Sequence, residues 1–214
     1  MTVTTDDVSI FFHYCVYVRS VYMHGWTLFE TADQADKDRL TNAAPVFFGD
    51  LNKILVEYVI LQICKITDPA KDVRGSYNHT IEFFLTESDF ATEPAKAQRL
   101  AQLHKRMQTI RSKVKPAWDK LISHLDRDVL RARTVLGVAP EHEWERFWRD
   151  LDEFVAVLYQ KYVSDPPHHI LDVIPITDTL MLQEAIRRGT LFDQLASGPD
   201  KAISMKCLGY AGLP

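Results

Sequence analysis

Chain breakers are scarce in this sequence. Its 214 residues include 8 glycines and 10 prolines, where average usage would give about 26 of the two together. That shortage excludes a turn-rich β architecture and points to long helices. Cysteine is scarce as well. Cys15, Cys64 and Cys207 lie far apart, with no CxxC or Cys/His spacing, which excludes a disulfide scaffold and a structural zinc site. An excess of basic charge is missing: Lys plus Arg is 25, Asp plus Glu is 29, and the formal charge is −4. This excludes a globally basic nucleic-acid binder but not a local basic patch. Long apolar runs are also missing. His13 and Arg19 break the first, Glu57 and Gln62 the second, so neither reaches the roughly 18 residues of a membrane span. The opening MTVTTDD has no positively charged stretch, so no secretory signal is expected and a cytoplasmic location is.

What the chain does have is apolar residues at helical spacing. Hydrophobic residues make up 46% and charged residues 25%, ordinary values for a folded protein. A first helix is predicted from about Asp6 to Phe29, capped by Thr5 or Asp6, with Phe11, Tyr14, Cys15, Val18, Val21 and Tyr22 on one face. Residues 30–39 are polar and read as a loop or a frayed short helix. A second helix, about Ala43 to Thr67, has Pro45 in its first turn and apolar residues nearly all round, which predicts a place inside a bundle. A short helix through Leu85, capped by Ser76 or Asn78, is expected next. Thr92 is the predicted cap of a third long helix, where Leu100, Leu103, Met107, Ile110 and Val114 alternate steps of three and four. Pro116 should kink or break it. A fourth long helix runs from about Glu143 to Ser164 until Asp165-Pro166-Pro167 stops it. A last segment from Thr177 should turn at Gly189. No stretch alternates with period two. The fold class is therefore all-α: a bundle of four main helices plus short C-terminal ones. A single helical domain is expected over 1–214, with a core over about 6–165, accessory helices over 166–197 and a tail over 198–214.

Charge is unevenly distributed. From Lys96 to Lys120 eight basic residues face one acid, whereas Glu141 to Glu153 holds six acids and two arginines. The two stretches either pair with each other or leave a basic face for phosphates. One segment carries candidate chemistry: VKPAWDKLISHLDRDVLRAR, residues 114–133. His124 titrates near neutrality, Asp126 can orient it, and Arg127, Arg131 and Arg133 can hold phosphate oxygens. That set suits metal-independent RNA cleavage. The competing reading is a histidine that merely packs or caps a helix end. Elsewhere, His168-His169 reads as a surface loop, and His142 has no second histidine at i+4. No Glu-x-x-His pair and no Gly-rich phosphate loop occur, so no metal or other cofactor is expected.

Several stretches resemble the AbiU-type HEPN family, helical proteins of prokaryotic abortive-infection and toxin–antitoxin systems. AAPVFFGDLNKILVEYVILQICKITDPA (43–70) is similar to the family's long core helix and the turn that ends it. SYNHTIEFFL (76–85) is similar to the helix after that turn. WDKLISHLDRD (118–128) resembles its motif with lysine, histidine and a trailing acid, and FWRDLDEFVAVLYQKY (147–162) fits the next helix. The resemblance implies an Arg-x5-His ribonuclease motif at a homodimer interface, with RNA or a nucleotide, a cognate antitoxin and a second copy as partners. His124 matches the histidine, Lys120 the lysine and Asp126 the acid; Asp119 takes the polar place after the arginine. The arginine itself should stand at 118, where this chain has Trp118. Tryptophan supplies no positive charge. The implied site is thus degenerate, with Arg127, Arg131 or another subunit left to supply the cation. Trp118 either stacks on a base or fills space left by a shorter side chain. The alternative to an RNA-directed protein is a non-catalytic helical interaction protein.

Overall fold

The computed structural model describes residues 2–123, 126, 128, 131, 137–164, 166–172 and 176–197. Among them lie seven α-helices and no strand. They are α1 (Thr5–Gly25), α2 (Gln34–Ala43), α3 (Pro45–Ile66), α4 (Ile81–Glu87), α5 (Pro94–Ala117), α6 (Glu141–Tyr162) and α7 (Thr177–Ser197). None of them is long and apolar enough to cross a membrane. The fold is all-α, as the spacing predicts. The chain forms two compact units, one of residues 1–22 and 55–174, the other of residues 23–54 and 175–214.

In the first unit, α5 and α6 pack side by side. The alternating seam of α5 is fully used: Leu100, Leu103, Met107, Ile110 and Val114 are all buried. They meet Phe147, Trp148, Leu151, Phe154, Val155 and Leu158 of α6, with Phe11, Cys15 and Val18 of α1 and Ile63 and Ile66 of α3 in the same core. The start of α1 differs from its prediction. The cap is Thr4: its Oγ1 accepts from the Asp7 N–H at 3.2 Å, and its own N–H donates to the Asp7 carboxylate at 2.9 Å. This reciprocal pair satisfies donors at both positions, which neither Thr5 nor Asp6 does. At α5 the N-cap position is Glu93 rather than Thr92, and no side chain caps it; Pro94 at the first position removes one donor that would otherwise need a partner. α5 takes Pro116 into its last turn and ends one residue later at Ala117, where a short π-type turn follows, close to the predicted break. A proline there forfeits one intrahelical bond, and the packing of Val114 and Ala117 on either side holds the helix together.

In the second unit, the polar segment read as a loop or frayed helix forms α2. Asp33 caps it by accepting from the Asp36 N–H at 2.7 Å. Asp36 is buried and held by Arg39 at 2.5 Å and by the fork of Arg187 on α7. The Arg187 hydrogen bond, aided by Arg39, outweighs burial and holds the Asp36 carboxyl below the usual carboxylate range. Gln183 donates to the Thr27 carbonyl at 3.2 Å, and His24 Nδ1 meets Thr179 Oγ1 at 2.6 Å. The apolar centre is small: Leu28, Leu40 and Phe48. α7 runs through Gly189 without the predicted turn, since one mid-helix glycine costs only about 1 kcal/mol. The prediction for α3 is half corrected. Ile60, Ile63, Cys64 and Ile66 are buried, but Val46, Phe47, Ile54 and Val56 are each more than half exposed. The small centre of the second unit takes up only Phe48 fully.

Candidate functional site

The segment with the histidine motif begins at the end of α5. Val114 and Ala117 are buried there, and the next residue, Trp118, is half-buried against the same core. From Trp118 to Ile122 the backbone widens into one π-type turn, closed by the Ser123 N–H on the Trp118 carbonyl at 2.9 Å. Such turns insert one extra residue and re-aim the chain beyond them. The Asp126 N–H then returns to the Lys120 carbonyl at 2.9 Å, and the Asp128 N–H donates to Asp126 Oδ1 at 3.0 Å. Gly137, the next described residue after Arg131, has a φ of +80°. A Cβ at that position would lie 2.9 Å from Ala117 Cβ and 3.2 Å from Ile60 Cδ1. Glycine is therefore needed both for the left-handed backbone and for the close approach. Trp118 and Gly137 both pack against the core residue set that includes Ala117 and Ile60.

The motif residues occupy different surroundings. Trp118 is half-buried and packs against the core. Asp119 is exposed and bound to Lys115 one turn back, at 2.5 and 2.6 Å. Lys120 and Arg131 are exposed, with no ion-pair partner among the described residues. Asp126 is half-buried and fixed beside Lys120. His124, Arg127 and Arg133 lie outside the described residues.

The charge asymmetry resolves inside the molecule. Arg99 forks onto Glu153 with two bonds of 2.5 Å, Arg106 holds the buried Asp150 at 2.5 and 2.9 Å, and Lys113 reaches Glu143 at 2.6 Å. Arg111 donates to the Cys64 carbonyl at 2.7 Å and to Asp68 at 2.6 Å. The hydrogen bond from Arg99 holds the Glu153 carboxyl low. Most of the basic face of α5 is thereby neutralised by α6 and the end of α3.

Four arrangements had no signature in the sequence. His169, read as a loop residue, is tied by Nδ1 to the buried Asp152 at 2.8 Å, and the same carboxylate accepts the Leu171 N–H at 3.2 Å. His168 stacks on Tyr159 with centroids 5.0 Å apart. Arg19 lies over the Trp148 ring at 5.3 Å with its buried Nε unpartnered; burial pulls its pKa down. His79 pairs with Asp7 at 2.8 Å. Each joins residues that no local pattern links, so only packing reveals it. Among the described residues no group of three or more metal-ligating side chains occurs.

The fold is all-α, consistent with a HEPN-type helical domain. A family model for AbiU2 matches residues 9–173, and the chain belongs to this AbiU2 family of HEPN proteins. The family is of the abortive-infection, defence type. No curated protein and no solved structure matches the chain.

Proposed function

We propose that this protein acts in cytoplasmic prokaryotic defence by binding RNA or a nucleotide along the segment from Trp118 to Arg131, with a second copy and a cognate antitoxin as its protein partners. The observation that carries this reading is the contrast in charge. Along α5, Arg99, Arg106 and Lys113 are spent on α6 and Arg111 on Asp68 just after α3, whereas Lys120 and Arg131, like Lys105 on α5, stay exposed without an ion-pair partner among the described residues. Lys120 and Arg131 flank the motif histidine.

In this reading His124 takes the proton from a ribose 2′-OH, that oxygen attacks the adjacent phosphorus, and a proton is returned to the leaving 5′ oxygen. Asp126 orients the imidazole, and no metal takes part. Negative charge builds on the phosphoryl oxygens, and the motif places an arginine at 118 to meet it. Trp118 is packed on the core instead. A missing transition-state donor costs about 10²–10³ in rate, so cleavage is slow beside binding. An RNase assay in EDTA tests this with wild type, His124→Ala and Trp118→Arg. The reading predicts weak activity in wild type, none in His124→Ala and a gain of about 10²-fold in Trp118→Arg. Equal activity in wild type and His124→Ala, or none in any of the three, removes the catalytic part.

A second reading, a non-catalytic helical interaction protein, is favoured by the exposed apolar residues Val46 and Phe47 on α3. Sedimentation at micromolar concentration checks the dimer that both readings include, and a monomer counts against it.

A further inference from the structure

A second site lies away from the motif segment. Within the first unit, α1, the end of α3 and residues 77–80 enclose an open cleft of about 520 Å³, within the size range of small-molecule sites. Ile10, Phe11, Tyr14 and Tyr77 form its apolar wall. Tyr14 is a wall rather than a head-group contact, because its hydroxyl is already donated to the buried Gln62.

The polar groups at the cleft have a clear sign. Both acids there are committed. Asp68 accepts from Arg111 at 2.6 Å. Asp7 accepts from the Thr4 N–H at 2.9 Å, from the Thr4 hydroxyl at 2.6 Å, and faces His79 Nε2 at 2.8 Å. Lys65 is exposed, lines the cleft, and has no ion-pair partner among the described residues. His79 lines it too, and its ring is fixed from two sides: Asp7 holds Nε2, and Phe83 and Phe84 pack against it with centroids 5.5 and 6.0 Å away. Nδ1 is the ring nitrogen left for a ligand, and it donates to an oxyanion when the imidazole carries both protons, the form that the Asp7 carboxylate on Nε2 favours. Asn78 adds a side-chain amide at the rim. A preset imidazole and an unspent ammonium beside an aromatic wall suit a ligand with a charged oxygen head and an apolar body.

We propose that this cleft binds a small organic oxyanion, a phosphate or carboxylate on an aromatic body, with Lys65 and His79 taking the head and Ile10, Phe11, Tyr14 and Tyr77 the body. Asp7 is a positioning residue for His79. The site does not depend on the RNA reading, since none of its residues belongs to the segment from Trp118 to Arg131.

Titration of the full chain with phenyl phosphate and with benzoate, followed by amide chemical shifts, tests it. At least one of the two should give saturable shifts at residues 65 and 78–80, and the tighter one identifies the head group. Phenol and inorganic phosphate carry one feature each and should bind about tenfold more weakly. Lys65→Ala and His79→Gln should each weaken binding by about fivefold or more, and Lys65→Ala should do so without lowering the melting temperature, because its side chain is exposed. His124→Ala should leave binding unchanged, which separates this site from the RNA reading. No saturable shift at millimolar ligand overturns the proposal. So does undiminished binding in Lys65→Ala, or inorganic phosphate binding as tightly as phenyl phosphate.

Discussion

Trp118 sits where the family motif calls for a guanidinium, and its side chain is half-buried against the core formed by α5 and α6. One substitution therefore has two separable effects. Trp118→Arg places a cation at the motif position while withdrawing an aromatic body from the core, so the gain in cleavage should come with a loss of about 1–3 kcal/mol in stability, read from urea unfolding. Gly137 is the other decisive single residue. Gly137→Ala puts a methyl group 2.9 Å from Ala117 Cβ on a backbone of φ +80°. The backbone conformation alone should destabilise that variant by about 1–2 kcal/mol or more. A variant as stable as wild type would show that neither the backbone nor the close approach at Gly137 is fixed. Asp152 carries two bonds from a buried position. Asp152→Ala should cost about 1–3 kcal/mol, because the Leu171 N–H loses its acceptor along with His169.

Between elements, the bond that matters most is the one with a buried partner. Arg106→Ala strands the Asp150 carboxylate, which is only 5% exposed, and should destabilise by about 2–4 kcal/mol. Lys96→Ala breaks an exposed one-turn pair with Glu93 and should change stability by less than about 1 kcal/mol. Urea unfolding of the two variants side by side checks the contrast. The same elements show what a sequence can disclose. The α5 seam was legible because burial on one helix face imposes the three–four spacing. α2 was not, since its residues are polar and its stability comes from the Asp33 cap and the grip of Arg187 on Asp36, 151 positions away. α3 misled because apolar composition does not say which half finds a partner. In the candidate site, the motif singles out Lys120 and Asp126, whose roles belong to the proposal. The partners His169–Asp152 and His79–Asp7 were not legible, because nothing local marks either pair.

At the scale of the molecule, stability should respond to acid through the carboxylates that the fold holds low. Asp36 in the second unit and Glu153 in the first both have their pKa lowered by arginine hydrogen bonds. Groups held low stabilise the fold above the ordinary carboxylate range, near pH 4, and lose that contribution as pH falls through their folded values. The exposed Glu153 pair is screened by solvent, so Asp36 should dominate. Asp36→Asn should therefore be markedly less stable than wild type at pH 7, with the difference shrinking toward pH 3, as read from urea midpoints. A difference independent of pH would place the role of Asp36 elsewhere. The wider claim concerns where the molecule keeps its free positive charge. Three cations of α5 are held by α6, and Lys120 and Arg131 in the segment after α5 are among those without an ion-pair partner among the described residues.

RNA affinity measured by fluorescence anisotropy across a salt series tests that claim most directly, with wild type set against the double variant Lys120→Ala/Arg131→Ala. Each lost contact to single-stranded phosphate removes about 0.7 from the log–log slope, so the account predicts a steep decline for wild type and a slope shallower by about 1.4 for the variant. A flat salt dependence in wild type, or identical slopes in the two proteins, would contradict it.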